Sequence, residues 1–255
     1  MTQHLTSSRH LDVDGAYNIR DLGGYPTADG RKTRWRTFLR ADSLHHLPGT
    51  SQQALVDYGL RTVIDLRRNI ELEELPNVFA ESVDVEYRHC NMVGEEPLDD
   101  SAKDTIQSGV PADRIFSSYR TMLDSRQSAV RDILSSLAEQ EGRTAMYHCA
   151  GGKDRTGIVS ALLLGLAGVS HQTIAEDYGL TARYLIARPW EENSASGVRP
   201  ETYTWQDYQS EFCPPEGMLR VLEHVDSRYG GIEGYVRTVG LADAQIDAIR
   251  AAFVE

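Results

Sequence analysis

Residues 144–168 (TAMYHCAGGKDRTGIVSALLLGLAG) place a short apolar run, a glycine-bearing polar loop and a long apolar run in direct succession. The first run, Thr144–His148, reads as a buried strand. The last, residues 157–168, is apolar on nearly every face and predicts a central helix that other elements must cover. A strand feeding directly into a buried helix commits the chain to a layered α/β arrangement. The loop between them lies where backbone N–H groups converge and the helix dipole favours an anion. Gly151 and Gly152 let the main chain curl around an oxyanion with no Cβ in the way. The loop is suited to phosphate.

Its side chains suggest chemistry as well as binding. The N-terminus of a helix and nearby cations favour the thiolate form of a cysteine, so Cys149 needs no histidine base to be nucleophilic. Arg155 offers a planar fork that grips two phosphoryl oxygens, which a lysine could not do bidentately. The amides of Ala150, Gly151 and Gly152 are placed to cradle the remaining oxygen, with Lys153 adding positive charge at the rim. The Thr156 hydroxyl is placed to donate to the sulfur and ease its departure from a phosphocysteine. Asp154 has no obvious structural role beside an anion; arriving protonated, it becomes a general acid for the leaving oxygen.

Other loop chemistries fit less well. A Walker-type nucleotide loop is excluded, because no glycine stands five residues before a Gly-Lys-Ser/Thr triplet. His89-Cys90 and His148-Cys149 suggest metal ligands, but adjacent strand residues point to opposite faces and each pair offers one ligand at most. No metal and no cofactor are therefore expected. A net charge of −12 repels nucleic acid and anionic membrane in bulk, so an anionic substrate has to be drawn by a local basic site. Lys153, Arg155, Arg20 and Arg67 are the candidates.

The stretch His148-Cys149-Ala150-Gly151-Gly152-Lys153-Asp154-Arg155-Thr156-Gly157 resembles the signature of the cysteine-dependent protein tyrosine phosphatase superfamily. Its Gly-Lys-Asp-Arg-Thr-Gly ending is similar to the bacterial and fungal tyrosine/serine phosphatase branch, some members of which also act on phosphoinositides. Tyr17-Asn18-Ile19-Arg20-Asp21-Leu22-Gly23-Gly24-Tyr25, Phe38-Leu39-Arg40-Ala41-Asp42-Ser43-Leu44 and Thr62-Val63-Ile64-Asp65-Leu66-Arg67 fit that branch. So does the tail, with Arg228-Tyr229-Gly230-Gly231, Tyr235-Val236-Arg237 and Gly240-Leu241. The resemblance implies Cys149 as nucleophile, Arg155 as phosphate clamp and Asp154 as an acid inside the loop, where many relatives carry theirs on a separate mobile loop.

The remaining chain predicts one phosphatase-like domain over residues 1–255. Its fold class is α/β, with a mostly parallel central sheet flanked by helices on both faces and a helical or loop insertion. Residues 15–20 and 34–40 read as extended, 51–58 as a helix closed by Gly59, 62–66 as a buried strand and 83–89 as a half-buried one. Residues 91–111 are acidic, carry glycine and proline and show no period; a lid insertion over 91–118 and a plain solvated loop both fit. Asp99, Asp100 and Asp104 fall there as rivals to Asp154. A helical pattern interrupted near Asp124-Ser125 follows over 113–139. Residues 188–215 hold Trp190, Trp205 and two tyrosines, suited to stack on a phosphotyrosyl ring or to anchor a core. Over 215–255, amphipathic helices from Met218 and from about Ala242 are expected to cover the sheet.

Three cysteines without clustered spacing argue against a disulfide scaffold and for a reducing compartment. With no apolar leader and no spanning run, the expected location is cytoplasmic, leaderless export staying open. Cys90 is expected at the same rim as Cys149, where a Cys90–Cys149 disulfide would trap an oxidised nucleophile. The reading is a phosphomonoester hydrolase working through phosphocysteine, acting on a phosphorylated protein (tyrosine, tyrosine/serine or dual specificity) or on a phosphoinositide. A non-catalytic phosphate-binding module, a sulfurtransferase and an arsenate reductase are the competitors. Oligomeric state is not legible.

Overall fold

Five strands form one sheet in the computed structural model, which describes residues 9–95, 109–140, 142–188 and 202–255. They are β1 (Arg20–Asp21), β2 (Phe38–Ala41), β3 (Leu60–Asp65), β4 (Glu86–His89) and β5 (Thr144–His148), in spatial order β1-β2-β5-β3-β4. All neighbours run parallel except β1, which is antiparallel to β2. β5 is central and every one of its residues is buried, as its unbroken apolar character predicts. Ala41 and Asp65 both pair with His148, and Asp65 also pairs with His89. The carboxyl ends of four strands are therefore level, and their following loops emerge at one rim.

Alternation along the strands divides the core in two. Phe38, Ile64, Ala145 and Tyr147 face the larger cluster, whereas Leu39, Val63 and Met146 face the smaller. The smaller cluster is closed by α1 (Gly49–Tyr58) through Leu55 and Tyr58, with Phe79 and Val85 from a loop. α2 (Asn69–Glu74) follows β3 at the rim. Gly59 ends α1 at φ 123°, and its N–H bonds to the carbonyls of Leu55 and Val56.

The larger cluster is built by α3 (Pro111–Ser125), α4 (Gln127–Ala138) and α5 (Asp154–Leu166), together with α6 (His171–Gly179) and α7 (Thr181–Leu185). α8 (Trp205–Phe212), α9 (Pro215–Tyr229), α10 (Ile232–Thr238) and α11 (Asp243–Phe253) complete it. α5 is the helix predicted from 157–168. Sheet lies on one side of it and α6, α10 and α11 on the others, so an all-round apolar surface has no exposed face.

Several boundaries differ from expectation for identifiable reasons. The extended segments 15–20 and 34–40 contribute only the short β1 and β2, and Arg36 takes a left-handed φ of 59° just before β2. Strand 83–89 shrinks to Glu86–His89, since the Ser82 hydroxyl accepts the N–H groups of Asp84 and Val85 and competes with the ladder. Val83 is left 99% exposed, outside the alternation that placed it inward. The break in the 113–139 helix falls at Arg126. The C-terminal part holds three helices rather than two, and they pack mainly on other helices: α9 on α3 and α6, α11 on α4 and α5. Phe253 reaches the sheet, its ring 4.9 Å edge-on from that of Phe38. Residues 96–108, with Asp99, Asp100 and Asp104, lie outside the described residues, as do Pro189 and Trp190.

Candidate active site

The loop from Cys149 to Lys153 leaves the carboxyl end of β5 and enters the N-terminus of α5. It is held by its carbonyls. Ala150 O accepts the Ser43 N–H at 3.2 Å and Arg188 Nη1 at 3.3 Å. Asn18 Nδ2 donates to Gly151 O and Gly152 O at 3.2 and 3.1 Å, and Arg40 Nη2 donates to Gly152 O at 2.9 Å. Carbonyls pinned outward turn the opposite edges of the same peptides, their N–H groups, toward the mouth of α5, which is the arrangement of an anion nest. Cys149, 2% exposed, forms the base, and Thr156 Oγ1 donates to its sulfur at 3.2 Å.

Gly152 makes this curl passable. Its φ is +62°, and an added Cβ would stand 2.6 Å from both the carbonyl carbon and oxygen of Ala41. Backbone cannot yield as a flexible side chain does. Gly152→Ala is expected to lower stability by about 1–3 kcal/mol and to weaken phosphate binding with it, as read by urea unfolding and by phosphate inhibition. Unchanged phosphate inhibition would show that the loop tolerates another path.

Arg155 is met by a partner that the sequence did not signal. Its Nη1 and Nη2 donate to the two oxygens of Glu71 at 2.7 and 2.9 Å, with the Arg155 side chain 15% exposed. Burial works against ionisation of Glu71, but the Arg155 bonds and the Arg68 N–H outweigh it and hold the carboxyl below its usual value. Glu71 sits in the run Asn-Ile-Glu-Leu-Glu-Glu, which looks like a solvated acidic face, and its local tie is to Arg68, whose N–H donates to Oε2 at 2.9 Å.

Asp154 opens α5 with its side chain 44% exposed. Its Oδ1 accepts the Tyr119 hydroxyl at 2.7 Å and lies 3.5 Å from Lys153 Nζ. Lys153 is thus not a free rim charge: it leans on Asp154 and lies 5.8 Å from the Phe212 ring of α8. Trp205 and Tyr208 of that helix are half-buried and pack on the larger core, so these two act as anchors.

The basic candidates Arg20 and Arg67 do not face a substrate. Both are essentially buried, at 0% and 1%. Arg67 is held by Asp65 through Nε and Nη2 at 2.9 and 2.8 Å. Asp65 also lies 3.1 Å from His148 Nε2, beneath the loop. Arg20 bonds to Asn18 and to the Asp177 carbonyl and so supports the residue that pins Gly151 and Gly152. The proposed Cys90–Cys149 trap also fails on geometry. Two ladder spacings of about 4.8 Å separate their strands, roughly 10 Å in all, against a Cα limit of about 7 Å for a disulfide. Cys90 packs beside Ser136 of α4, and burial pushes its thiol up.

A profile described as "Tyrosine phosphatase family" matches residues 11–255. The chain belongs to this family. The phosphatase is 28% identical over 222 residues to "Tyrosine-protein phosphatase" of Nostoc commune, covering 84% of this chain and 72% of the relative. It is 25% identical over 281 residues to "Triple specificity protein phosphatase PtpB" of Mycobacterium tuberculosis, covering 95% and 98% of the two chains. It is therefore a phosphomonoester hydrolase of the protein-tyrosine phosphatase type, and its substrates are phosphorylated. Among the described residues no helix of the phosphatase is long and apolar enough to cross a membrane.

Proposed function

We propose that the phosphatase hydrolyses phosphotyrosyl residues of proteins, with Cys149 as nucleophile, Arg155 as clamp and Asp154 as acid and then base. The Cys149 thiolate attacks phosphorus, an S–P bond forms and the P–O bond to the leaving oxygen breaks as Asp154 delivers its proton there. Arg155 turns from Glu71 to two phosphoryl oxygens, and the loop amides of residues 150–154 take the spreading charge. Water then attacks the phosphocysteine, giving its proton to the Asp154 carboxylate. The P–S bond breaks, phosphate leaves, and Thr156 steadies the returning thiolate. The observation that carries this reading is the set of outward-pinned carbonyls above a buried cysteine, because it aims amides at the place where a phosphoryl group would meet sulfur.

A sulfur at the bottom of a loop, 2% exposed, favours a phosphoryl group on a long flat arm such as a tyrosine ring. A net charge of −12 disfavours approach to an anionic lipid surface. Three unpaired thiols suit a reducing compartment, so cytoplasmic action by one domain spanning 1–255 belongs to the same reading. The name of the PtpB relative supports including other phosphorylated groups in the test.

Phosphate release from phosphotyrosyl, phosphoseryl and phosphothreonyl peptides and from phosphoinositide vesicles is the test, with a nucleophile-free variant as blank. Phosphotyrosyl peptides are expected to give a kcat/KM at least about 10-fold above the rest, the discrimination that one fully seated aromatic ring supplies. Faster release from phosphoinositides would overturn the substrate assignment.

A further inference from the structure

We propose that Tyr119, backed by Tyr178, is a positioning residue that places the transferable proton of Asp154 on Oδ2. The inference rests on the reading of Asp154 as the acid. Tyr119 lies in α3 and Tyr178 in α6, and both are buried, at 0% and 1%. Their rings meet edge to face, with centroids 5.9 Å apart at 87°. The Tyr119 hydroxyl is 2.7 Å from Asp154 Oδ1 and 2.9 Å from the Tyr178 hydroxyl.

A phenol has one proton to give. The short bond to a carboxylate is the stronger, so Tyr119 donates to Asp154 and accepts from Tyr178, and all three groups are satisfied along one directed chain. Were the acidic proton on Oδ1 instead, Asp154 would have to donate to Tyr119 and Tyr119 to Tyr178. The Tyr178 proton would then be stranded, since among the described residues Tyr119 is the one partner of that hydroxyl. A buried O–H without an acceptor is costly. Protonated Asp154 therefore keeps Oδ1 as the acceptor and carries its proton on Oδ2, the oxygen that accepts no hydrogen bond among the described residues. Burial, and after it the Asp154 charge, pushes both phenols well above their ordinary value, so each stays a protonated donor.

In the first half-reaction the Oδ2–H bond breaks, its proton joins the leaving oxygen, and the electrons of the broken P–O bond stay on that oxygen. Asp154 is left as a carboxylate still bound by Tyr119, ready to take the proton of the attacking water. The Tyr119 hydroxyl acts through Asp154, and its effect on the first half-reaction falls on leaving groups that need a proton.

Aryl phosphates spanning good to poor leaving groups test this with Tyr119→Phe, Asp154→Asn and the double variant. Asp154→Asn is expected to lower kcat/KM, which reads the first half-reaction, for poor leaving groups by on the order of 100-fold while sparing nitrophenyl phosphate. Tyr119→Phe is expected to follow the same pattern at about 10-fold, and the double variant to be no slower than Asp154→Asn alone. Vanadate inhibition, which reads the loop without the acid, should stay within about two-fold of the parent for Tyr119→Phe. A flat leaving-group response for Asp154→Asn would sink the acid assignment and this inference with it. A normal response there, combined with a Tyr119→Phe variant that slows all substrates equally, slows none or loses vanadate binding, would overturn the role of Tyr119 alone.

Discussion

Cys149→Ser is expected to lower turnover of an aryl phosphate by at least on the order of 10⁴-fold while leaving phosphate binding nearly intact. The two halves of that expectation have separate causes. In the proposed site, phosphate is held by amides whose carbonyls are tied to Asn18, Arg40 and Ser43, and by Arg155, none of which depends on the sulfur. Turnover in the proposed mechanism depends on a sulfur nucleophile, which a serine hydroxyl does not replace. The Thr156 hydroxyl, 3.2 Å from sulfur, donates and cannot act as a base that would rescue a serine. Rapid acid quench with a labelled substrate should therefore trap a phosphorylated Cys149 in the parent and no phosphorylated loop residue in the variant. A serine variant with near-parental rates would remove Cys149 from the mechanism.

How far the chain discloses this site depends on the distance over which each feature is encoded. β5, the loop and α5 are legible because they are local: an apolar run, paired glycines and a second apolar run are contiguous. Gly59 is legible in the same way, as the terminator of the helix directly before it. The ties that shape the loop are long-range. Asn18 reaches Gly152 across 134 residues and Arg40 across 112, so their segments can be noticed but not assigned to the loop carbonyls. Arg20 misleads for a related reason, because its buried carboxylate, Asp177, is far along the chain, whereas Arg67 folds back on Asp65 only two residues away. Glu71 hides in an acidic run. Tyr119 and Tyr178 fall on amphipathic helices, where an aromatic residue at helical spacing signals core and its hydroxyl goes unread.

Asp177→Asn is expected to cost about 3–5 kcal/mol of stability at neutral pH, the effect of removing one member of a buried charge cluster. Arg20 and Arg40 are both 0% exposed and Asp177 is 1% exposed. Arg40 Nη1 lies 2.5 Å from one Asp177 oxygen, while the Tyr25 hydroxyl donates to the other at 2.7 Å and Arg20 Nε stands 3.6 Å from it. Two buried cations thus share one carboxylate, and asparagine would leave both uncompensated. Burial opposes ionisation of Asp177, but Arg20 and then Arg40 outweigh it and bring its value down from 3.8 to about 2. Because the folded value is the lower, this contribution is fully present above 3.8 and is lost as the pH falls through about 2. The gap in urea midpoint between parent and variant should accordingly be wide at pH 7 and narrow across that acidic window. Phosphate binding should weaken in step, because the same Arg40 that pairs with Asp177 also pins the Gly152 carbonyl. A variant as stable as the parent at pH 7 would mean that the arginine pair is neutralised by some other group. The asparagine variant keeps the shape of the side chain, so a loss confined to the pH range where Asp177 is charged isolates electrostatics from packing as the link between core and loop.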